Sequence, residues 1–98
     1  MYKAFKTEIF SHWHNSLKDL KGKIAIARRI DRAEKGNFGD SEPVGAGVFE
    51  MRIDFGPGYR VYYILKGGEM IILLCGGDKS SQKRDIDKAK EMAEEFKK

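Results

Sequence analysis

The 98-residue chain holds one cysteine, Cys75, and two histidines, His12 and His14. A single cysteine closes no internal disulfide, which points to a reducing compartment. Histidines two apart on a helix project about 200° apart and cannot chelate one ion. With no further histidine or cysteine to help them, the usual ligands of a zinc site are missing. No apolar run approaches the roughly 20 residues that span a bilayer, and the start MYKAFKTEIF has no signal-peptide apolar region. These absences lead to the expectation of a cytoplasmic protein with no membrane partner, no metal and no cofactor. A linker, an internal repeat and a low-complexity tract are absent too, so residues 1–98 read as a single domain, long enough for a modest core. The glycine-rich stretch Asn37 to Gly47 lacks GxxxxGK[ST] and does not lead from a strand into a helix N-terminus. It reads as a surface loop anchored by Phe38 and Val44.

What the chain does have is an excess of basic residues, 19 Lys and Arg against 15 Asp and Glu, for a net charge of +4. Such a balance favours acidic partners, either nucleic acid or an acidic protein. After a short strand over Tyr2–Phe5, Thr7 caps a helix that runs to about Leu17, with Glu8 in its first turn and Ile9, Phe10, Trp13 and Leu17 on its buried stripe. A second helix over Lys18–Lys35 starts near Asp19, buries Ile26, Ala27, Ile30 and Ala33, and stops at Gly36-Asn37. The short link between them predicts a helical hairpin. Lys23, Arg28, Arg29, Arg32 and Lys35 crowd the rest of the second helix. That flank is either a plain solvated face or a surface that rides on phosphates through Arg28, Arg29 and Arg32.

The stretch from Gly47 to Arg60, GVFEMRIDFGPGYR, alternates apolar and charged residues at period two. Phe49, Met51, Ile53 and Phe55 share the core face; Glu50, Arg52 and Asp54 share the wet one. If Gly56-Pro57-Gly58 is a three-residue loop, Asp54 pairs with Arg60, Arg52 with Tyr62 and Glu50 with Ile64. One sheet face then presents Glu50, Arg52, Asp54, Arg60 and Tyr62 together. Strands near Val48–Phe55, Tyr59–Leu65 and Met70–Cys75 form a meander, with Gly67-Gly68 as the second hairpin turn and MIILLC as a covered interior strand. A last helix, capped by Ser80 or Ser81, buries Ile86, Ala89, Ala93 and Phe96. Its N-terminus with Lys79, Lys83 and Arg84 makes an anion-friendly end, or else an ordinary capped turn. Helices clustered ahead of strands give an α+β class.

The run RIDRAEKGNFGDSEPVGAGVFEMRIDFGPGYRVYYI, followed by LLCGGDKSSQKRDIDKAKEMAEE, resembles the RelE/ParE superfamily of toxins from bacterial toxin–antitoxin modules. Within it, the motifs EMRI, GPGYR and GGDKSSQ are most similar to the HigB-like, Gp49-like branch of addiction module killer proteins. The resemblance implies a RelE-like fold, an N-terminal helical hairpin and a C-terminal helix packed on a small, mainly antiparallel sheet. It also implies a cytoplasmic, metal-independent mRNA endoribonuclease, commonly acting at the ribosome, and a cognate antitoxin, a small helix-turn-helix protein encoded nearby. Arg60 matches the arginine of the GYR motif that contacts the scissile phosphate. Arg52 matches the second of two alternating basic positions on the preceding strand, Glu50 reverses the charge of the first, and Lys79 lies at or beside another arginine position. Where RelE has a tyrosine near its C-terminus, this chain offers Asp85 or Ile86.

Metal-free RNA cleavage has the 2′-OH attack the adjacent phosphorus, which needs a proton acceptor, a donor for the leaving 5′-oxygen and cations for the phosphorane charge. Glu50 is a candidate acceptor or a charge balancer for its arginines. Arg52, Arg60 and Lys79 are candidates to hold the phosphate, and Lys79 or Tyr62 to donate a proton. Tyr62, Lys83 and Arg84 complete the RNA-binding set with Arg28, Arg29 and Arg32. Two other readings stand beside this one: a ParE-like poison of DNA gyrase with no nuclease activity, and a basic nucleic-acid-binding module without catalysis. The last lacks a DNA-reading motif and any evident exposed aromatic platform for single strands.

Overall fold

The computed structural model describes residues 1–97. A strand β1 (Lys3–Lys6) leads into helices α1 (Glu8–Ser16) and α2 (Leu20–Glu34). Strands β2 (Ser41–Gly45), β3 (Val48–Ile53), β4 (Tyr59–Lys66) and β5 (Met70–Gly77) follow. A 3₁₀ turn (Lys79–Ser81) then opens helix α3 (Gln82–Glu95). The strands form one sheet in the order β1-β5-β4-β3-β2, with β1 parallel to β5 and the remaining pairs antiparallel. This is an α+β architecture on a mixed sheet. β5, apolar on both faces, runs between β1 and β4 as an interior strand must.

Each sheet face buries its own set of side chains. On one face Phe10 of α1 and Ile26, Ile30 and Ala33 of α2 meet Met51, Ile53, Val61, Tyr63, Ile71 and Leu73. On the other, Ala89 and Ala93 of α3 cover Val48, Tyr62, Ile64, Ile72 and Leu74. The sheet is thus the middle of three layers. The bulge at which Tyr62 pairs with Cys75 and Tyr63 with Leu73 leaves Leu74 unpaired, and both Leu74 and Cys75 join the α3 side.

Local chemistry sets the helix ends. The Thr7 hydroxyl accepts from Phe10 N at 3.0 Å and donates to Leu74 O at 2.7 Å, which starts α1 and ties it to β5. Asp19 caps α2 by accepting from Gly22 N at 3.0 Å, and also accepts from the Tyr59 hydroxyl at 2.9 Å. His14, buried, donates from Nε2 to Lys23 O at 2.9 Å and so joins the two helices rather than facing a metal. α1 ends at Ser16, with Leu17 as its cap residue, one position short of the predicted end. At α3 Ser81 holds the expected N-cap position but makes no side-chain cap bond, and the side-chain capping falls one turn earlier. Asp78 takes that role for the 3₁₀ turn, accepting from Ser80 N at 2.8 Å, while the Ser81 hydroxyl donates to Asp85 Oδ2 at 2.5 Å.

Two further expectations change. Asn37–Gly47 is not all loop: Ser41–Gly45 pairs antiparallel with β3, Ser41 opposite Met51 and Glu42 opposite Glu50. As an edge strand it tolerates Pro43, which donates no ladder bond, and flanking glycines mask its short pattern. The β3–β4 register also differs. Arg52 lies opposite Arg60, Ile53 opposite Tyr59 and Glu50 opposite Tyr62, so the turn takes five residues, Asp54 to Gly58, with Gly56 and Gly58 at positive φ. Because the shift is two residues, each side chain keeps its face.

Candidate functional site

Alternation in β3 and β4 sends Glu50, Arg52, Arg60 and Tyr62 to the face covered by α3. Directly opposed arginines repel across a ladder unless a counter-charge sits between them. Glu50, 1% exposed, supplies it. Its Oε1 accepts from Arg60 Nη1 at 3.0 Å and Arg52 Nη1 at 3.4 Å. Its Oε2 accepts from the Tyr62 hydroxyl at 3.1 Å and Gln82 Nε2 at 2.9 Å. A carboxylate offers about four acceptor sites, and these four donors fill them. The face expected to be wet is therefore closed over Glu50 and Tyr62 by α3, which periodicity could not disclose.

Toward the open end of the sheet the same face becomes a cleft of about 240 Å³, lined by Arg52, Arg60, Lys79, Asp40, Asp54 and the Gly58 backbone. Lys79 reaches it from the 3₁₀ turn; a Cβ at Gly58 would sit 3.6 Å from Lys79 Cβ, which shows how closely the GPG turn approaches. Gly77 permits the turn above it, since a Cβ there would fall 1.9 Å from Asp85 Oδ2. Arg52 is held from the edge strand as well, with Nη2 2.9 Å from Asp40 Oδ1 and Nη1 2.6 Å from Glu42 Oε1. These hydrogen bonds raise the guanidinium's already high pKa and hold both carboxyls below their ordinary range. Burial, reinforced by Glu50, pushes the Tyr62 hydroxyl up, so it stays protonated.

The remaining sequence-predicted residues divide. Arg28 and Arg32 line a hollow beside the cleft together with Phe55. Arg29, grouped with them in the sequence, instead turns inward. It donates to the backbone carbonyls of Arg52, Phe38 (3.1 Å) and Asp40 (3.4 Å), pinning the approach to β2 against β3. Lys83 and Arg84 border a separate hollow at the start of α3 with Ser80, Ser81 and Asp87. Asp40, Glu42 and Gln82 are the site residues that sequence reasoning missed. The two-residue spacing of Asp40 and Glu42, matching that of Glu50 and Arg52, was the available signal for the first pair. For Gln82 only its place in the GGDKSSQ run was visible.

A larger apolar groove of about 610 Å³ lies between α1 and α3 over the end of β5, bordered by Ile9, Trp13, Leu17 and Cys75. It shares no lining residue with the cleft. Cys75 is buried, and burial pushes its thiol up to about 12, which removes a thiolate nucleophile from the chemistry available there. Among the described residues no group of three or more His, Cys, Asp or Glu side chains is placed to hold a metal ion, and no helix is long and apolar enough to cross a membrane.

A mixed five-stranded sheet between an α-helical pair and a single C-terminal helix, with one charged cleft at the end of the central strands, defines the structural class. Residues 15–97 match the family model described as "Phage derived protein Gp49-like (DUF891)", and the chain belongs to that family. The match takes in every residue of the cleft. The chain is also 52% identical over 90 residues to an uncharacterized protein of Haemophilus influenzae, an alignment that covers 92% of this chain and 91% of the relative.

Proposed function

We propose that this Gp49-like chain is the toxin of a type II toxin–antitoxin module, a RelE-like mRNA endoribonuclease that acts without a metal, at the ribosome, in the cytoplasm. One observation carries the reading: Arg52, Arg60 and Lys79, drawn from three different elements, line a single cleft. In the proposed reaction the RNA 2′-oxygen bonds to phosphorus as the bond to the 5′-oxygen breaks, and the 2′-proton passes to a base while the leaving oxygen gains one. Arg60 spends Nη1 on Glu50, and its buried Nε has no partner among the described residues, so a phosphate that draws the guanidinium outward would satisfy it. Lys79, which packs close to Gly58 of the turn, is the proposed proton donor. Glu50, with all four acceptor sites engaged, balances and orients the arginines. The proton acceptor is then a carboxylate on the cleft wall, and Asp54 takes no part in any ion pair among the described residues.

The partners under this reading are mRNA, the ribosome and a cognate antitoxin, a small helix-turn-helix protein encoded beside the toxin. Primer-extension mapping after brief induction tests it. Cuts within translated codons that vanish in Arg60→Ala, with the variant still folded, support the nuclease; intact transcripts in the wild type refute it. A second reading, a ParE-like poison of gyrase, is favoured by the neutralisation of Arg52. Four carboxylates, Asp40, Glu42, Glu50 and Asp54, stand in or around a cleft with three cations. Loss of plasmid supercoiling with uncut mRNA would select that alternative.

A further inference from the structure

By alternation Phe55 belongs to the core face with Phe49, Met51 and Ile53, and the sequence offers no aromatic platform. The structure places it elsewhere. β3 ends at Ile53, and Phe55 stands in the five-residue turn with 38% of its surface exposed. Its backbone is fixed there: Phe55 N donates to Ile53 O at 2.8 Å and Gly58 N donates to Phe55 O at 3.1 Å. Among the described residues its ring pairs with no other aromatic ring. Beside it runs a hollow of about 370 Å³ whose other wall is the outer flank of α2. Arg28 and Arg32 project there one helical turn apart, exposed, and neither joins an ion pair among the described residues. Ile53 and Asp54 line both this hollow and the cleft, so the two adjoin.

A partly exposed aromatic ring held on a hydrogen-bonded turn, two unpaired guanidinium groups lining the same hollow and an adjoining cleft with further cations match the needs of a single-stranded nucleic acid. Bases stack on the ring and the backbone tracks the charges. We propose that Phe55, Arg28 and Arg32 form a nucleotide subsite for single-stranded RNA next to the scissile linkage, with one base stacked on Phe55 and its flanking phosphates on Arg28 and Arg32. The assignment of the neighbouring linkage as the one that is cut rests on the nuclease reading; the subsite itself is a binding claim. Arg29 also borders the hollow, but its Nη1 and Nη2 are spent on the backbone carbonyls of Arg52, Phe38 and Asp40 and its Nε is buried, so the subsite is assigned to Arg28 and Arg32.

The test uses the full chain and a 2′-O-methyl oligoribonucleotide of about eight nucleotides, which has no 2′-OH to attack, with affinity measured across a salt series. Phe55→Ala should weaken binding roughly 5- to 150-fold, the loss expected for one base–aromatic stack, and Phe55→Trp should retain it and show indole quenching on titration. Arg28→Ala and Arg32→Ala should each lower the salt slope by about 0.7, the value for one phosphate contact on a single strand. Unchanged affinity in Phe55→Ala, or an unquenched indole in a bound Phe55→Trp complex, overturns the proposal. So does a wild type that ignores the oligonucleotide but binds an acidic peptide through the same three residues. If the oligonucleotide binds with the stated Phe55 dependence while mRNA stays intact, the subsite stands and the nuclease reading fails. If mRNA is cut normally and Phe55→Ala binds as the wild type does, the reverse holds.

Discussion

Replacing Glu50 by Gln keeps the shape of the side chain and removes its charge. The new amide group must then point an N–H donor at one of the two donor pairs that now converge there, Arg60 with Arg52 or Tyr62 with Gln82. Arg52 retains Asp40 and Glu42, whereas Arg60, whose side chain is 12% exposed, loses its ion-pair partner. Removing one member of a buried pair costs about 3–5 kcal/mol, because the other is left without compensation. A domain of this size has about 5–15 kcal/mol in total, so the variant gives up a large share of its stability. Urea unfolding followed by far-UV circular dichroism measures this directly. Even at a steep slope of about 3 kcal/mol per M the midpoint should fall by about 1 M or more. Arg60→Met added to Glu50→Gln should recover part of the loss, since the unpaired charge is then gone. A midpoint unchanged within about 0.2 M, together with abolished cleavage, would refute the reasoning and return Glu50 to the role of catalytic base.

Two other outcomes follow from neighbouring contacts. Asp40→Asn with Glu42→Gln should release Arg52 and tighten binding of the uncleavable oligonucleotide, with a steeper salt dependence; weaker binding would mean that the carboxylates position Arg52 for its ligand. Both carboxyls have folded-state values below the ordinary 3.8 and 4.5, so the stability they add is full above about pH 4.5 and fades as pH falls through the lowered values. Unfolding midpoints should therefore show no pH dependence from this pair between about pH 5 and 8, where its contribution is constant, and the difference between wild type and double variant should shrink below about pH 4. Gly77→Ala would place a methyl 1.9 Å from Asp85 Oδ2 and 2.7 Å from Ser81 Oγ, displacing the start of α3 with Lys79 and Gln82. A loss of about 1–3 kcal/mol is expected in urea unfolding, and an unchanged midpoint would show that the 3₁₀ turn yields freely.

Much of this site was legible because face assignment survives errors of register. The predicted pairing of Asp54 with Arg60 was two residues from the observed pairing of Arg52 with Arg60, and an even shift leaves Glu50, Arg52, Arg60 and Tyr62 on one side. What periodicity cannot convey is what lies over a face. The same alternation describes a charged row in water and one sealed by a helix, and α3 makes the difference for Glu50 and Tyr62 but not for Arg52. Phe55 failed for a related reason: alternation holds only while the strand lasts, and the chain leaves the sheet at Ile53. The edge strand β2 escaped because proline and glycine read as loop, although an edge is where a sheet admits them. That omission mattered most, since β2 and its lead-in carry Asp40 and Glu42. Without them Arg52 is a free cation aimed into a cleft; with them it is an ion-paired group that a phosphate must win from two carboxylates. Binding at this site is therefore an exchange of one set of anions for another, and the edge strand sets how strongly the exchange is resisted.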